Sequence, residues 1–297
     1  MSDLQAYEIH LRNHDGPLPL HAVRGEWLSG LFYSTFKKPG HSKDGQEGFE
    51  NLGVQMHGKG QKEHAGETAS YAIHVLSEEV EVKGKKLAAV RGVRIASFQA
   101  EVGDRIAEVW GARAAKNAEV EFGSAKMTVS DIKPDVRNGL TFSALWDQSP
   151  VAYGVVIQFE TPTVLERANH IDLLPSPKRL WSGYLRQWEQ YAPSDVWLPK
   201  EERKHFADWV EKCVYTRSMS IETRPMPIRE EKELDGILGR LEFHALVTDE
   251  DFPASRLPDY LRGWQMLAMF AEFCGTGAGT TQGFGRTRYL RAFGEKK

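Results

Sequence analysis

The chain lacks any run of about eighteen consecutive apolar residues, the length a bilayer-crossing helix needs, so a membrane span is excluded. Its opening residues, MSDLQAYEIH, lack the basic-then-apolar order of a secretion signal. Cysteine is scarce: Cys213 and Cys274 are the only two, too few for a disulfide framework. These absences together predict a reducing, cytoplasmic setting. The ten histidines and two cysteines match no standard zinc-ligand spacing, so no metal and no cofactor is expected. Positive charge is also missing overall: 38 Lys and Arg stand against 41 Asp and Glu, a net of −3. Nucleic-acid affinity rests on Lys and Arg meeting phosphate, and the overall balance argues against it.

What is present is a globular composition. Hydrophobic residues make up 41% of the 297, with eight tryptophans, enough for a substantial core in one large domain or two ordinary ones. Charge is unevenly spread. Lys83, Lys85, Lys86, Arg91 and Arg94 fall close together, and Arg286, Arg288 and Arg291 follow a glycine-rich segment with no acid between them. Each cluster reads either as a solvated face or as a phosphate-binding patch. The carboxylate pair Glu78-Glu79 reads as a solubility feature in a turn.

The same order of elements occurs twice. Tyr7, Ile9 and Leu11 alternate as in a half-buried strand, and a helix is expected over residues 20–37. A polar stretch over 39–69 reads as a long functional loop, with a short helix around 49–56. Strands return at Tyr71, Ile73 and Val75 and over 90–95; Phe98, Val102, Ile106 and Val109 recur at helical spacing; a strand over 120–132 closes the half. In the second half Val151, Tyr153, Val155, Ile157 and Phe159 alternate, and Leu180, Trp181, Tyr184, Leu185 and Trp188 form a helical stripe. Further helices are expected over 201–213 and 258–273. Strands are expected over 215–221, at Leu241, Phe243, Ala245 and Val247, and over 284–290. Each half thus reads β-α-β-β-α-β, the ferredoxin-like order. The prediction is an α+β protein of two tandem ferredoxin-like domains, residues 1–147 and 148–297.

The glycine-rich segment holds Gly275, Gly277, Gly279, Thr280, Thr281, Gly283 and Gly285, then Arg286 and Arg288. Glycine permits positive φ and close backbone approach, and the amides of such a turn form nests for anions. A dinucleotide fingerprint requires a strand before the glycines and a helix after; here the order is reversed, and there is no Walker lysine. A purely structural turn and a nucleotide-binding regulator remain alternatives. The latter would show saturable ATP or GTP binding.

A helix, a glycine-rich loop ending in Gly283-Phe284-Gly285, then a short strand resembles the C-terminal signature of the RAMP superfamily of CRISPR proteins. Phe159-Glu160-Thr161-Pro162-Thr163 and Leu174-Pro175-Ser176-Pro177 before a Trp-rich helix resemble its repeat-processing endoribonucleases, the sixth Cas family. So do Gly236-Ile237-Leu238-Gly239-Arg240 and, in the first half, Leu18-Pro19 before Gly30-Leu31-Phe32-Tyr33. The resemblance implies two ferredoxin-like domains and an endoribonuclease that cuts CRISPR precursor RNA within its repeats. The RNA's own 2′-hydroxyl would attack, leaving a 2′,3′-cyclic phosphate and a 5′-hydroxyl without a metal. It implies CRISPR repeat RNA as partner, and with it a CRISPR effector complex. The other reading is a non-catalytic RAMP-type RNA-binding subunit of such a complex.

The family places a general acid–base histidine just after the first helix, and a tyrosine within it. The matching positions are His57, after Val54-Gln55-Met56, and Tyr33. Some members add a lysine; Lys62 matches, with Lys59 as rival. His41, His64 and His21 compete with His57, and His74 alternates oppositely to Ile73 and Val75, so it would project from the sheet. Helical geometry bears on Tyr33 separately: at about 100° per residue it lies opposite the stripe of Trp27, Leu28 and Leu31. An ordinary exposed tyrosine fits that position equally. The resemblance assigns RNA contact to basic residues on the sheets and to the glycine-rich loop, here Lys83, Lys85, Lys86, Arg91, Arg94, Arg286 and Arg288.

Overall fold

Side-chain alternation builds the first sheet. In β1 (Gln5–Asn13), Ile9 and Leu11 are buried while Glu8 and His10 are only half covered. The computed structural model describes residues 2–19, 23–36, 69–167, 170–229, 232–246 and 252–295. After β1 come β2 (Leu18–Pro19), α1 (Gly25–Tyr33), a 3₁₀ turn (Ser34–Phe36), β3 (Tyr71–Val82) and β4 (Lys85–Ser97). Next are α2 (Ala100–Ala115), β5 (Glu119–Phe122) and β6 (Ala125–Pro134). Lys83 and Gly84, with φ of 52° and 74°, make the tight β3–β4 turn that suits strand twist. β3 pairs with β4, β4 with β1 and β1 with β6, all antiparallel. For the four long strands in chain order this is 4-1-3-2, the ferredoxin-like arrangement. One core joins Ile9, Val93 and Ile95 of the sheet to Leu28 and Phe32 of α1 and to Val102, Ile106 and Trp110 of α2.

The second half repeats the plan with larger side chains. It runs α3 (Phe142–Gln148), β7 (Ala152–Thr163), β8 (Leu165–Arg167), β9 (His170–Asp172) and α4 (Pro177–Tyr191). Then follow α5 (Lys200–Cys213), β10 (Val214–Arg229), β11 (Lys232–Ala245), α6 (Leu257–Cys274) and β12 (Thr287–Glu295). The sheet order β10-β11-β7-β12 is again the ferredoxin-like one. Trp181 of α4 meets Tyr184 of its own helix, Phe243 of β11 and Trp264 of α6, and Trp188 meets Phe270 of α6. Buried indoles still need acceptors, and the Trp181 Nε1–H finds the Trp264 carbonyl at 2.9 Å.

The chain forms two compact units. The first is Met1–Leu140 with Met226–Leu234 and Gly279–Gly283; the second is Thr141–Pro225, Asp235–Ala278 and Phe284–Lys297. Thr141 caps α3 by accepting the Ala144 N–H at 3.0 Å, and Phe142 packs on Trp188 and Phe270.

Several expected elements differ in detail. The single strand over 120–132 is a hairpin, β5 and β6, because Gly123 at φ 63° turns the chain. The α2 stripe ends on Trp110, fully buried, rather than on Val109, since four residues from Ile106 is the better match to the helical period. The expected helix over 20–37 is α1 and its 3₁₀ turn within the described residues. Glu78 and Glu79 lie in β3 rather than in a turn. The polar stretch over 39–69, apart from residue 69, lies outside the described residues. Among the described residues no helix is long and apolar enough to cross a membrane.

Candidate functional site

The motif at the end of β7 exists to hold the glycine-rich turn. Pro162 O accepts the Gly285 N–H at 3.0 Å, Thr161 Oγ1 accepts the Arg286 N–H at 2.9 Å, and Glu160 N–H donates to Arg286 O at 2.8 Å. Val164 O accepts the Ala278 N–H at 2.8 Å, and the turn closes on itself through Thr276 N–H to Gly285 O at 2.8 Å. Beneath it runs a buried hydroxyl chain: Tyr184 Oη meets Thr276 Oγ1 at 2.6 Å, and Thr276 meets Thr287. Burial pushes the Tyr184 phenol well up, so it stays protonated. Tyr184→Phe is expected to cost about 1–2 kcal/mol of stability, read from the urea midpoint.

Gly275, Gly277, Gly279, Gly283 and Gly285 all have positive φ, between 71° and 94°, and Thr280–Gln282 makes a single 3₁₀ turn. The tip, Gly279–Gly283, is part of the first unit. There it packs on α1 and β3. Ser29 Oγ donates to Thr281 O at 2.9 Å, and Leu28 and Met226 crowd Gly283.

Tyr33 sits one helical turn beyond Ser29, on the same face of α1. Leu28, Leu31 and Phe32 are buried, Glu26 and Gly30 exposed, and Tyr33 half-buried. Tyr71, buried in β3 and stacked on Phe32 with centroids 3.6 Å apart, donates its hydroxyl to Tyr33 Oη at 3.2 Å. Burial, and then the neighbouring Tyr33, push the Tyr71 phenol well above its ordinary value. Tyr71 therefore keeps its proton and holds the Tyr33 oxygen in place. Sequence reasoning named Tyr33 but missed Tyr71 and Ser29. The four-residue spacing of Ser29 and Tyr33 was the available signal for the latter.

The basic residues divide by burial. Arg94 is 4% exposed and bonded to Asp135 at 2.6 Å. Such a buried pair holds the strand to the loop after β6 and is not available to a phosphate. Lys86 pairs with Glu79 at 2.7 Å and Arg91 with Glu78, across β3 and β4. Lys83 and Lys85 stay exposed at the hairpin tip. In the second unit, Arg286 and Arg288 share Glu160 at 2.9 and 3.1 Å, leaving one net positive charge beside the glycine turn. His74, expected to project from the sheet, does face away from Ile73 but is fully enclosed opposite Arg94.

His57, Lys62, Lys59, His41, His64 and His21 lie outside the described residues. Among the described residues no three metal-ligating side chains cluster. Cys213 and Cys274 are buried and not disulfide-bonded, and burial pushes the Cys274 thiol far up. The second unit also holds a groove of about 770 Å³ between α4 and the Gly275–Ala278 arm of the turn. Lys178 and Arg179 on its wall pair with Glu211 and Asp172, while Arg186 is exposed.

Residues 157–287 match the sequence family described as CRISPR-associated endoribonuclease Cas6. No curated protein matches the chain. Among solved structures, Thermus thermophilus Cas6 (TTHB231) in its product complex is 16% identical with a TM-score of 0.70, over 98% of this chain and 100% of that one. Cas6 (TTHA0078) in a substrate mimic complex is 20% identical with a TM-score of 0.63, over 97% and 99%. A structure described as an RAMP protein binding different RNA substrates is 14% identical with a TM-score of 0.54, over 97% and 100%. Identities this low speak for the fold. By sequence the chain resembles the Cas6 family across residues 157–287, and along nearly its whole length it shares the fold of the solved Cas6 and RAMP structures.

Proposed function

We propose that the protein is a metal-independent endoribonuclease that cuts CRISPR precursor RNA within its repeats to release guide RNAs. The observation that carries this reading is the match of residues 157–287 to the Cas6 endoribonucleases. Solved relatives of the same fold are described as product and substrate mimic complexes.

RNA brings its own nucleophile. The 2′-hydroxyl attacks the adjacent phosphorus, the bond to the 5′-oxygen breaks, and a 2′,3′-cyclic phosphate and a 5′-hydroxyl remain. The protein's task is to align these atoms, move one proton off the 2′-oxygen and one onto the 5′-oxygen, and offset the extra negative charge. His57 is the general acid–base, suited to neutral pH by its imidazole. Tyr33 hydrogen-bonds a reacting oxygen. The Tyr71 hydroxyl supports that role, because it fixes the position of the Tyr33 oxygen. Lys62 offsets phosphate charge. The glycine turn and Lys83, Lys85, Arg286 and Arg288 position the strand, through phosphates rather than bases. The reaction belongs in the cytoplasm, and the cut RNA is passed to a CRISPR effector complex.

Purified protein is expected to cleave a cognate repeat in excess EDTA, and the 3′ end of the upstream product should resist ligation until the cyclic phosphate is opened and the remaining monophosphate removed. Strict dependence on added divalent metal would overturn the mechanism. Tight RNA binding with no cleavage under any condition would instead favour the non-catalytic subunit.

A further inference from the structure

One face of the second unit's sheet is covered by helices: Phe243 packs on Trp181, and Leu241 is fully buried. The opposite face carries a row of rings. Tyr215 of β10, His244 of β11 and Phe293 of β12 follow one another across the strands, with ring centroids 5.7 and 5.9 Å apart. Register makes the row: His244 and Phe293 both stand opposite Gly154 of β7. A Cβ on Gly154 would lie 2.2 Å from the Phe293 ring, so glycine is required there for the ring to lie over the central strand. Two guanidiniums flank that ring, Arg217 at 5.4 Å and Arg291 at 5.8 Å from its centroid. One carboxylate, Glu242, meets Arg217 at 3.3 Å, and the surface keeps a net positive charge. Burial and Arg217 lower the pKa of His244 against the opposing pull of Glu242, so its imidazole is neutral near pH 7. Tyr215 is 42% exposed, and His244 and Phe293 are half-buried.

A contiguous row of partly exposed rings, unlike singly scattered ones, marks an interaction surface. Rings across the strands of a four-stranded ferredoxin-like sheet, bordered by arginines, suit unpaired bases with their phosphates beside them. We infer that the row Tyr215–His244–Phe293, with Arg217 and Arg291, is a stacking platform for single-stranded RNA, distinct from the groups proposed to cut it. The choice of RNA as ligand rests on the function proposed above. Base stacking on such rings tolerates sequence, so the platform would hold a single-stranded flank of the substrate without reading it.

The test is fluorescence anisotropy with a short labelled oligouridylate, with repeat cleavage measured in parallel. Wild type is expected to bind the oligomer, and Phe293→Ala to bind it about tenfold or more weakly, while Phe293→Trp retains binding. Should Phe293→Ala fail to fold, Tyr215→Ala at the exposed end of the row reads the same loss. Wild type that ignores the oligomer, or ring variants that bind it unchanged, would overturn the platform. So would unchanged binding with an altered solution mass, which would assign the row to contact with a second copy. Cleavage separates the two ideas: ring-dependent binding by a protein that cuts no repeat supports the platform and removes only the endonuclease reading.

Discussion

His57→Ala is expected to slow repeat cleavage about a hundred- to ten-thousandfold, the usual contribution of a positioned acid–base group. The loss should fall in the rate measured with RNA saturating, and affinity for a repeat with deoxyribose at the cut should stay within a few-fold. A variant that cuts at full rate removes His57 from the mechanism and turns attention to His41, His64 and His21. Tyr33→Phe serves as the companion. It removes the phenolic oxygen that Tyr71 holds at 3.2 Å yet keeps the ring in contact with Phe32, so lost activity would report the hydroxyl rather than packing.

Gly285→Ala should be the most damaging single methyl group in the second unit. Gly285 has φ 72°, where a side chain costs about 1–2 kcal/mol. Its Cβ would stand 2.0 Å from Thr276 O, a backbone atom that cannot swing aside. Relief requires opening the turn, which breaks Gly285 N–H to Pro162 O and Thr276 N–H to Gly285 O at about 1 kcal/mol each. A loss of about 3–5 kcal/mol is expected in urea unfolding, with RNA binding lost as well. Gly111→Ala is the control: in α2 the added Cβ meets nothing within 4 Å, and helix propensity should make it neutral or stabilising.

The architecture was legible because its signals are local and periodic. Tyr153, Val155, Ile157 and Phe159 alternate, Trp181 to Trp188 recur at helical spacing, and both give the elements found. The β5–β6 hairpin was missed because Glu119–Pro134 reads as one strand unless Gly123 is taken as a turn. The site was legible only in part. Tyr33's position off the apolar stripe of α1 could be read from helical geometry, but its partner Tyr71 lies in another strand and no spacing links the two. In the basic cluster at 83–94 it was the ion pairing that could not be read. Glu78 and Glu79 read as turn residues, so their pairing with Arg91 and Lys86 across β3 and β4 was invisible, as was the Asp135 that buries Arg94.

The tip of the glycine turn belongs to the amino-terminal unit although it lies near the carboxyl terminus. This sets an order of events on the ribosome. Residues Met1–Leu140 emerge before the glycine turn, so the surface where Ser29 and Leu28 meet Thr281 and Gly283 must wait for that turn to be made. At ordinary elongation speeds that delay is roughly ten to thirty seconds. Throughout it the nascent first helix stays incompletely covered, a natural client for a chaperone and a reason the two halves would not mature well as separately expressed pieces.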